Sequence, residues 1–183
     1  MIVEAAEPIT LIGGAEIDKF LLKRARALGP RVVAADGGAD AALANGVIPE
    51  AVIGDFDSLS AEGRARFPDE ALHPIADQDS TDFDKCLGNI AAPLVVGIGF
   101  SGARLDHQLA AYNTLVRHPH RRCILLGREE LVFLAPPELS IGLPEGCEVS
   151  LFPLGAVEGL SEGLEYSIAG LNFAPDGRIG TSN

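Results

Sequence analysis

The feature that most restricts the fold is a regular alternation. From Ile9 to Gly127, short apolar runs take turns with stretches of helical period. "ITLIGG" reads as a first strand ending in a Gly13-Gly14 turn. "AEIDKFLLKRARALGP" follows as a helix, with Ile17, Phe20, Leu21 and Leu28 at helical spacing and Gly29-Pro30 as its stop. "RVVAADGGA" is a second strand, "DAALANG" a short helix closed by Gly46, and "EAVIGDFD" a third strand. Thr81 has the form of an N-cap, with Asp84 three residues on as a weaker capping-box acid, for a helix from Asp82 to Ile90. The strand "LVVGIGF", a helix from Leu105 to Arg117 and the strand "RCILLG" complete the series. Strands alternating with helices predict an α/β domain built on a parallel sheet, spanning residues 1–127.

After Gly127 the pattern changes. Short β-like runs are broken by Pro and Gly, with no helical period, which predicts a small antiparallel sandwich or barrel over residues 128–183. The longest strongly apolar run, "LVVGIGF", is far below the ~20 residues of a membrane-spanning helix. Glu4 and Glu7 without an early Lys or Arg do not make a secretory signal. Cys86, Cys123 and Cys147 are isolated and odd in number, which suits a reducing, cytoplasmic setting better than a zinc site or a disulfide framework.

Charge narrows the partners. The formal net charge is -12, and nine of the twelve aspartates fall between Asp36 and Asp84, where the only basic residues are Arg64 and Arg66. Such a segment repels a nucleic-acid backbone and tolerates cations. Within it, "VIGDFDS" sets Asp55 and Asp57 on either side of one phenylalanine. On an extended segment both point to one face, roughly 6.5–7 Å apart, and repel by about 2 kcal/mol at an effective dielectric near 20. A cation between them reverses the sign.

Ligands of open parallel sheets bind at the carboxyl ends of the strands. Asp36 follows "VVAA", Asp55 and Asp57 follow "AVIG", Asp77 and Asp79 lie near "HPIA", and Ser101, Gly102, Arg104 and Asp106 follow "VVGIGF". An all-oxygen set of this kind suits Mg²⁺ shared with substrate phosphates. The plain readings weigh against it: a lone Asp after a strand is usually a turn former, and Thr81 serves equally as a cap or as a phosphate ligand at a helix N-terminus. Asp106-His107 has no G-x-S-x-G elbow beside it, so an acyl-transfer triad is disfavoured.

"ADGGADAALANGVIPEAVIGDFDS", "DQDSTDFDKCL" and "GFSGARLDHQLAAYNTL" resemble, in order and spacing, three signature blocks of the thiamine pyrophosphokinase family, and "GLEYSI…GRIGTSN" resembles a fourth. The resemblance runs from about Ala35 to Asn183. It implies a Rossmann-like ATP-binding domain followed by a β-sandwich that binds thiamine, a homodimer, and transfer of diphosphate from ATP to thiamine, with AMP released. By position it implies Mg²⁺ ligands at Asp55, Asp57 and Asp82, and catalytic roles for Asp57, Asp82, Arg104 and Asp106. It places Asp36, Gln78, Asp79, Thr81, Lys85, Arg104 and His107 along ATP, and Asp106, Ser182 and Asn183 by thiamine. The family continues past the Ser-Asn pair into further strands, so the β domain is expected to be either incomplete or trimmed. The competing expectations are a diphosphokinase acting on a pterin alcohol, a Mg²⁺-dependent phosphohydrolase with a D-x-D pair, and a nucleotide- or thiamine-binding module without turnover.

Overall fold

The computed structural model describes every residue of the chain except Ala103. The chain divides into two compact units, Met1–Pro136 and Pro137–Asn183. In chain order the first contains β1 (Val3–Glu4), β2 (Ile9–Ile12), α1 (Lys19–Leu28), β3 (Arg31–Ala35), α2 (Gly38–Ala44), β4 (Ala51–Gly54), α3 (Ala61–Arg64) and β5 (Leu72–Pro74). It continues with α4 (Asp82–Asn89), β6 (Ile90–Ala91), β7 (Val95–Ile98), α5 (Leu105–Arg117), β8 (Cys123–Leu126) and β9 (Leu131–Phe133).

Seven strands form one sheet in the order β5-β4-β3-β2-β7-β8-β9. All its pairings are parallel except β8 with β9. The strands read as unbroken apolar runs because both faces of the sheet are covered. Leu11, Val33, Ile53 and Leu125 pack on one face with Phe83, Cys86 and Leu87 of α4 and Leu115 of α5. Ile12, Val32, Val96 and Ile98 pack on the other with Leu21, Leu22 and Ala25 of α1. The one buried hydroxyl of β2, Thr10, donates to the carbonyl of Gly29 at 2.6 Å, so its burial carries no unpaired group.

Two local expectations change. Helix α1 starts at Lys19, capped by Asp18, whose carboxylate accepts the Leu21 N–H at 2.7 Å. Leu21, Leu22 and Ala25 form its buried face, whereas Phe20 is 63% exposed with the Arg24 guanidinium 5.6 Å from its ring centre. The division between units also falls after Pro136 and not at Gly127, because Leu131–Phe133 turns back and pairs antiparallel with β8. The sheet edge thus takes a strand that sequence pattern alone assigns to the β domain. A short parallel pair, β1 with β6, stands apart from the main sheet.

The second unit contains β10 (Val157–Glu158) and β11 (Asn172–Phe173), paired antiparallel, and an antiparallel bridge between Leu151 and Gly180. Among the described residues this is one small antiparallel sheet. Its loops carry apolar side chains in the open, including Leu160 at 85% exposure.

Candidate active site

The carboxyl ends of β3 and β4 build the acidic centre. Asp36 follows β3 directly and holds φ at +42°, its N–H still donating to the Ile53 carbonyl at 3.0 Å. Aspartate tolerates this left-handed region better than most side chains. The neighbouring strand must leave room: a Cβ at Gly54 would lie 2.7 Å from the Asp36 Cβ, so glycine is required there. Asp55 and Asp57 do not lie on an extended segment. Strand β4 ends at Gly54, and Phe56 takes φ +67°, turning the chain between the two acids. The Arg64 guanidinium covers the Phe56 ring at 5.3 Å.

This turn brings three carboxylates together. One oxygen from each of Asp36, Asp55 and Asp57 lies within 4.8 Å of the others. Asp36 is 1% exposed; its Oδ2 accepts the Ser58 N–H at 3.1 Å, and its Oδ1 is buried without a partner among the described residues. Asp57 Oδ1 accepts the Ser58 hydroxyl at 2.8 Å. Ser58, absent from the sequence-derived set, therefore touches two of the three acids, and its position directly after D-x-D was the signal available.

Asp82 stands beside the trio without joining it. Lys85, on the same helix, places its ammonium 2.8 Å from Asp55 Oδ2 and 3.1 Å from Asp82 Oδ1, with the Lys85 side chain 3% exposed. Expected along ATP, Lys85 is here occupied by two carboxylates, and so fastens β4 to α4. The electrostatics follow from these contacts. Burial first, and then the charges of Asp82 and Asp57, push the Asp36 carboxyl up to about 6 against the Ser58 hydrogen bond. Burial also raises Asp82, opposed by Lys85. The Lys85 hydrogen bond holds Asp55 below the usual carboxylate range. Burial acts to lower Lys85, but its bonds to Asp55 and Asp82 prevail and raise it.

The other expected residues differ in their local partners. Gln78 reaches Asp55 Oδ2 at 3.4 Å. Asp79 donates its N–H to Asp77, and Thr81 caps α4, its hydroxyl accepting the Asp84 N–H at 3.3 Å. At the start of α5, Arg104 holds Asp106 through Nε–Oδ1 at 3.1 Å and Nη2–Oδ2 at 2.5 Å; both side chains are exposed, at 66% and 65%. That pairing is the main reason the Asp106 carboxyl falls to about 2. His107 is exposed beside it. In the second unit, Ser182 has φ +56° and donates its N–H to the Ser150 hydroxyl at 3.1 Å. The Asn183 amide is taken up by the Tyr166 backbone, at 3.0 and 2.6 Å.

A further cluster has no signal in the sequence pattern. Asp84, buried on α4, accepts from Arg117 and meets His118 Nε2 at 2.5 Å, tying α4 to the end of α5. Asp84 therefore has a second partner set besides its place in the cap.

The family model "Thiamin pyrophosphokinase, catalytic domain" matches residues 26–126. Thiamine pyrophosphokinase 3 of Oryza sativa subsp. japonica is 31% identical over 157 residues, covering 74% of this chain and 58% of the relative. Thiamine pyrophosphokinase 1 of Arabidopsis thaliana is 28% identical, covering 78% and 60%. The chain thus spans about three-fifths of the length of these curated relatives. A thiamin pyrophosphokinase structure from Geobacillus thermodenitrificans aligns at a TM-score of 0.71 with 26% identity, covering 91% of this chain and 83% of that one. The Bacillus subtilis enzyme aligns at 0.76 with 21% identity, covering 96% and 88%, a likeness of fold. With more than half its length inside the catalytic-domain match, this chain belongs to the thiamin pyrophosphokinase family.

Proposed function

We propose that the chain catalyses transfer of diphosphate from ATP to the hydroxyl of thiamine, as a Mg²⁺-dependent enzyme. In that reaction the hydroxyl oxygen bonds to the β-phosphorus, the bond from the β-phosphorus to the α–β bridging oxygen breaks, AMP leaves and the alcohol proton is lost. The observation that carries the reading is the close set of Asp36, Asp55 and Asp57 oxygens at the sheet's carboxyl edge, in a chain of this family.

The donor set fits a hard divalent cation. All three groups are carboxylates, and the buried, partnerless Asp36 Oδ1 is a polar atom that a cation would satisfy. Asp36, Asp55 and Asp57 would hold it, with Asp82 alongside. When bound, Mg²⁺ supplies neutralisation of phosphate charge and polarisation of phosphoryl oxygens.

The protein's own groups then divide the remaining work. Lys85 keeps Asp55 and Asp82 in place and offsets part of the repulsion among four aspartates. Arg104 sits in an exposed ion pair, which is cheap to exchange for a phosphate oxygen. Asp106, held ionised down to about pH 2, is a weak base, so its use is to orient the acceptor hydroxyl or hold Arg104 in place. Gln78, Asp79, Thr81 and His107 border the ATP path in this reading, and Ser182 the thiamine. Phosphoryl transfer through a loose transition state needs chiefly positioning and charge stabilisation, which this set supplies. A homodimer in the cytoplasm completes the reading; three cysteines without a disulfide suit a reducing compartment.

The test mixes protein, ATP, Mg²⁺ and thiamine and follows products by mass spectrometry. AMP and thiamine diphosphate in equal amounts are expected. Inorganic phosphate without acceptor, AMP only with a pterin alcohol, or binding of ATP without AMP would each replace the reading with its corresponding rival. Light scattering checks the dimer.

A further inference from the structure

Two adjoining cavities, about 430 and 380 Å³, lie in the first unit and share Arg26, Pro30, Gly46 and Val47. Together they form one groove that runs along α1 from its first residue, Lys19, and reaches the end of α2 and the start of β3. The strand starts at Arg31, so the Pro30–Arg31 end of the groove lies at the edge of the sheet opposite the carboxylate cluster. Lys19, Lys23 and Arg26 follow one another at helical spacing along α1 and line the larger cavity.

None of these three cations is in an ion pair among the described residues, although neighbouring ones are: Arg31 takes Glu50 at 2.7 Å and Arg128 takes Asp18. The chain has 26 acidic side chains against 14 basic ones. Three unpaired cations facing one hollow are therefore a local inversion of the molecule's charge. The walls between them are apolar, from Leu22, Pro30 and Val47.

We propose that this groove binds a small organic phosphate, its phosphates on Lys19, Lys23 and Arg26 and its apolar body against Leu22, Pro30 and Val47. Arg26 contributes a planar fork suited to phosphate oxygens, and the lysines contribute point charges. The volume of about 430 Å³ falls within the range of small-molecule sites. The proposal does not rest on the catalytic reading, because no residue of the acidic centre enters it.

Calorimetric titration of the full chain with ADP, in EDTA and at low salt, tests it. With divalent cations removed, the carboxylate cluster repels the probe, and the α1 groove is left to bind it. Saturable binding with a Kd below about 1 mM is expected, weakening as salt is raised. Lys23→Ala/Arg26→Ala should lower affinity at least about tenfold, with the melting temperature held because both side chains are exposed. Lys19→Ala/Lys23→Ala should act in the same direction, which guards against a fold defect in one pair. Inorganic pyrophosphate, which has no apolar body, should bind at least about threefold more weakly; equal binding overturns the assigned ligand class. Absence of saturable ADP binding, or binding unchanged in both variants, overturns the site.

Discussion

Asp36 is the residue on which the acidic centre turns. It is buried, one of its oxygens has no partner, and it keeps its proton up to about pH 6. A carboxyl that binds its proton more tightly folded than unfolded favours the folded state below the ordinary carboxylate range. That advantage is lost as pH rises through about 6, and amounts to about 3 kcal/mol at most. Urea unfolding in EDTA at pH 4.5 and 7.5 should show this loss in the natural chain and not in Asp36→Asn, where asparagine accepts the same positive φ; a shared slope would place the titration elsewhere. Adding Mg²⁺ should raise the melting temperature more at pH 7.5 than at pH 4.5, since a ligand that binds only the folded, ionised site stabilises it by mass action. Asp57 carries the sharpest activity prediction. Asp57→Asn should cut turnover at least about 100-fold with an unchanged melting temperature, and near-normal AMP release would remove it from the site. The presence of acids at this edge was legible in the sequence, because strand ends can be counted. Which oxygens converge was not, since the left-handed Phe56 and the close approach of Asp36 to Gly54 are properties of the assembled backbone.

At the scale of elements, α4 is held from three directions. Its cap is Thr81, its buried acid Asp84 takes Arg117 and His118 from the end of α5, and its Lys85 reaches Asp55 beyond β4. Thr81→Ala should cost about 1 kcal/mol in unfolding free energy. Lys85→Met should cost about 3 kcal/mol, because it leaves two carboxylates without their shared cation; chemical denaturation measures both. A Lys85 loss smaller than the Thr81 loss would show that Asp55 and Asp82 are well solvated without it. The helices and most strands of the first unit were readable as periodic runs bounded by glycine, proline or a cap. Phe20 departs from its helical spacing because spacing alone does not say where the buried stripe ends, and the Arg24 guanidinium gives its ring an alternative cover. Strand β9 joins the first unit although its sequence pattern resembles the runs after it, since a three-residue strand has too little pattern to declare its partner.

Across the whole molecule, stability is unevenly shared. The first unit buries two layers of side chains on one seven-stranded sheet, whereas the second has two-residue strands and many exposed apolar groups. Brief treatment with a glutamate-specific protease should therefore cut first beyond Pro136, where Glu138, Glu145 and Glu148 lie outside regular structure. Mass spectrometry should find a long-lived product beginning at Met1, and early cuts at Glu50 or Glu62 would contradict this. The strand order has a further consequence for how the chain is made. Strand β2 lies in mid-sheet, and Ile9 must wait for Val95 before its second flank is covered. As the polypeptide leaves the ribosome, β2 to β5 can assemble with that flank still open to other chains. Arrival of β7 closes it, so β7 acts as a latch whose delay governs both how slowly the sheet completes and how exposed it is to wrong pairing meanwhile.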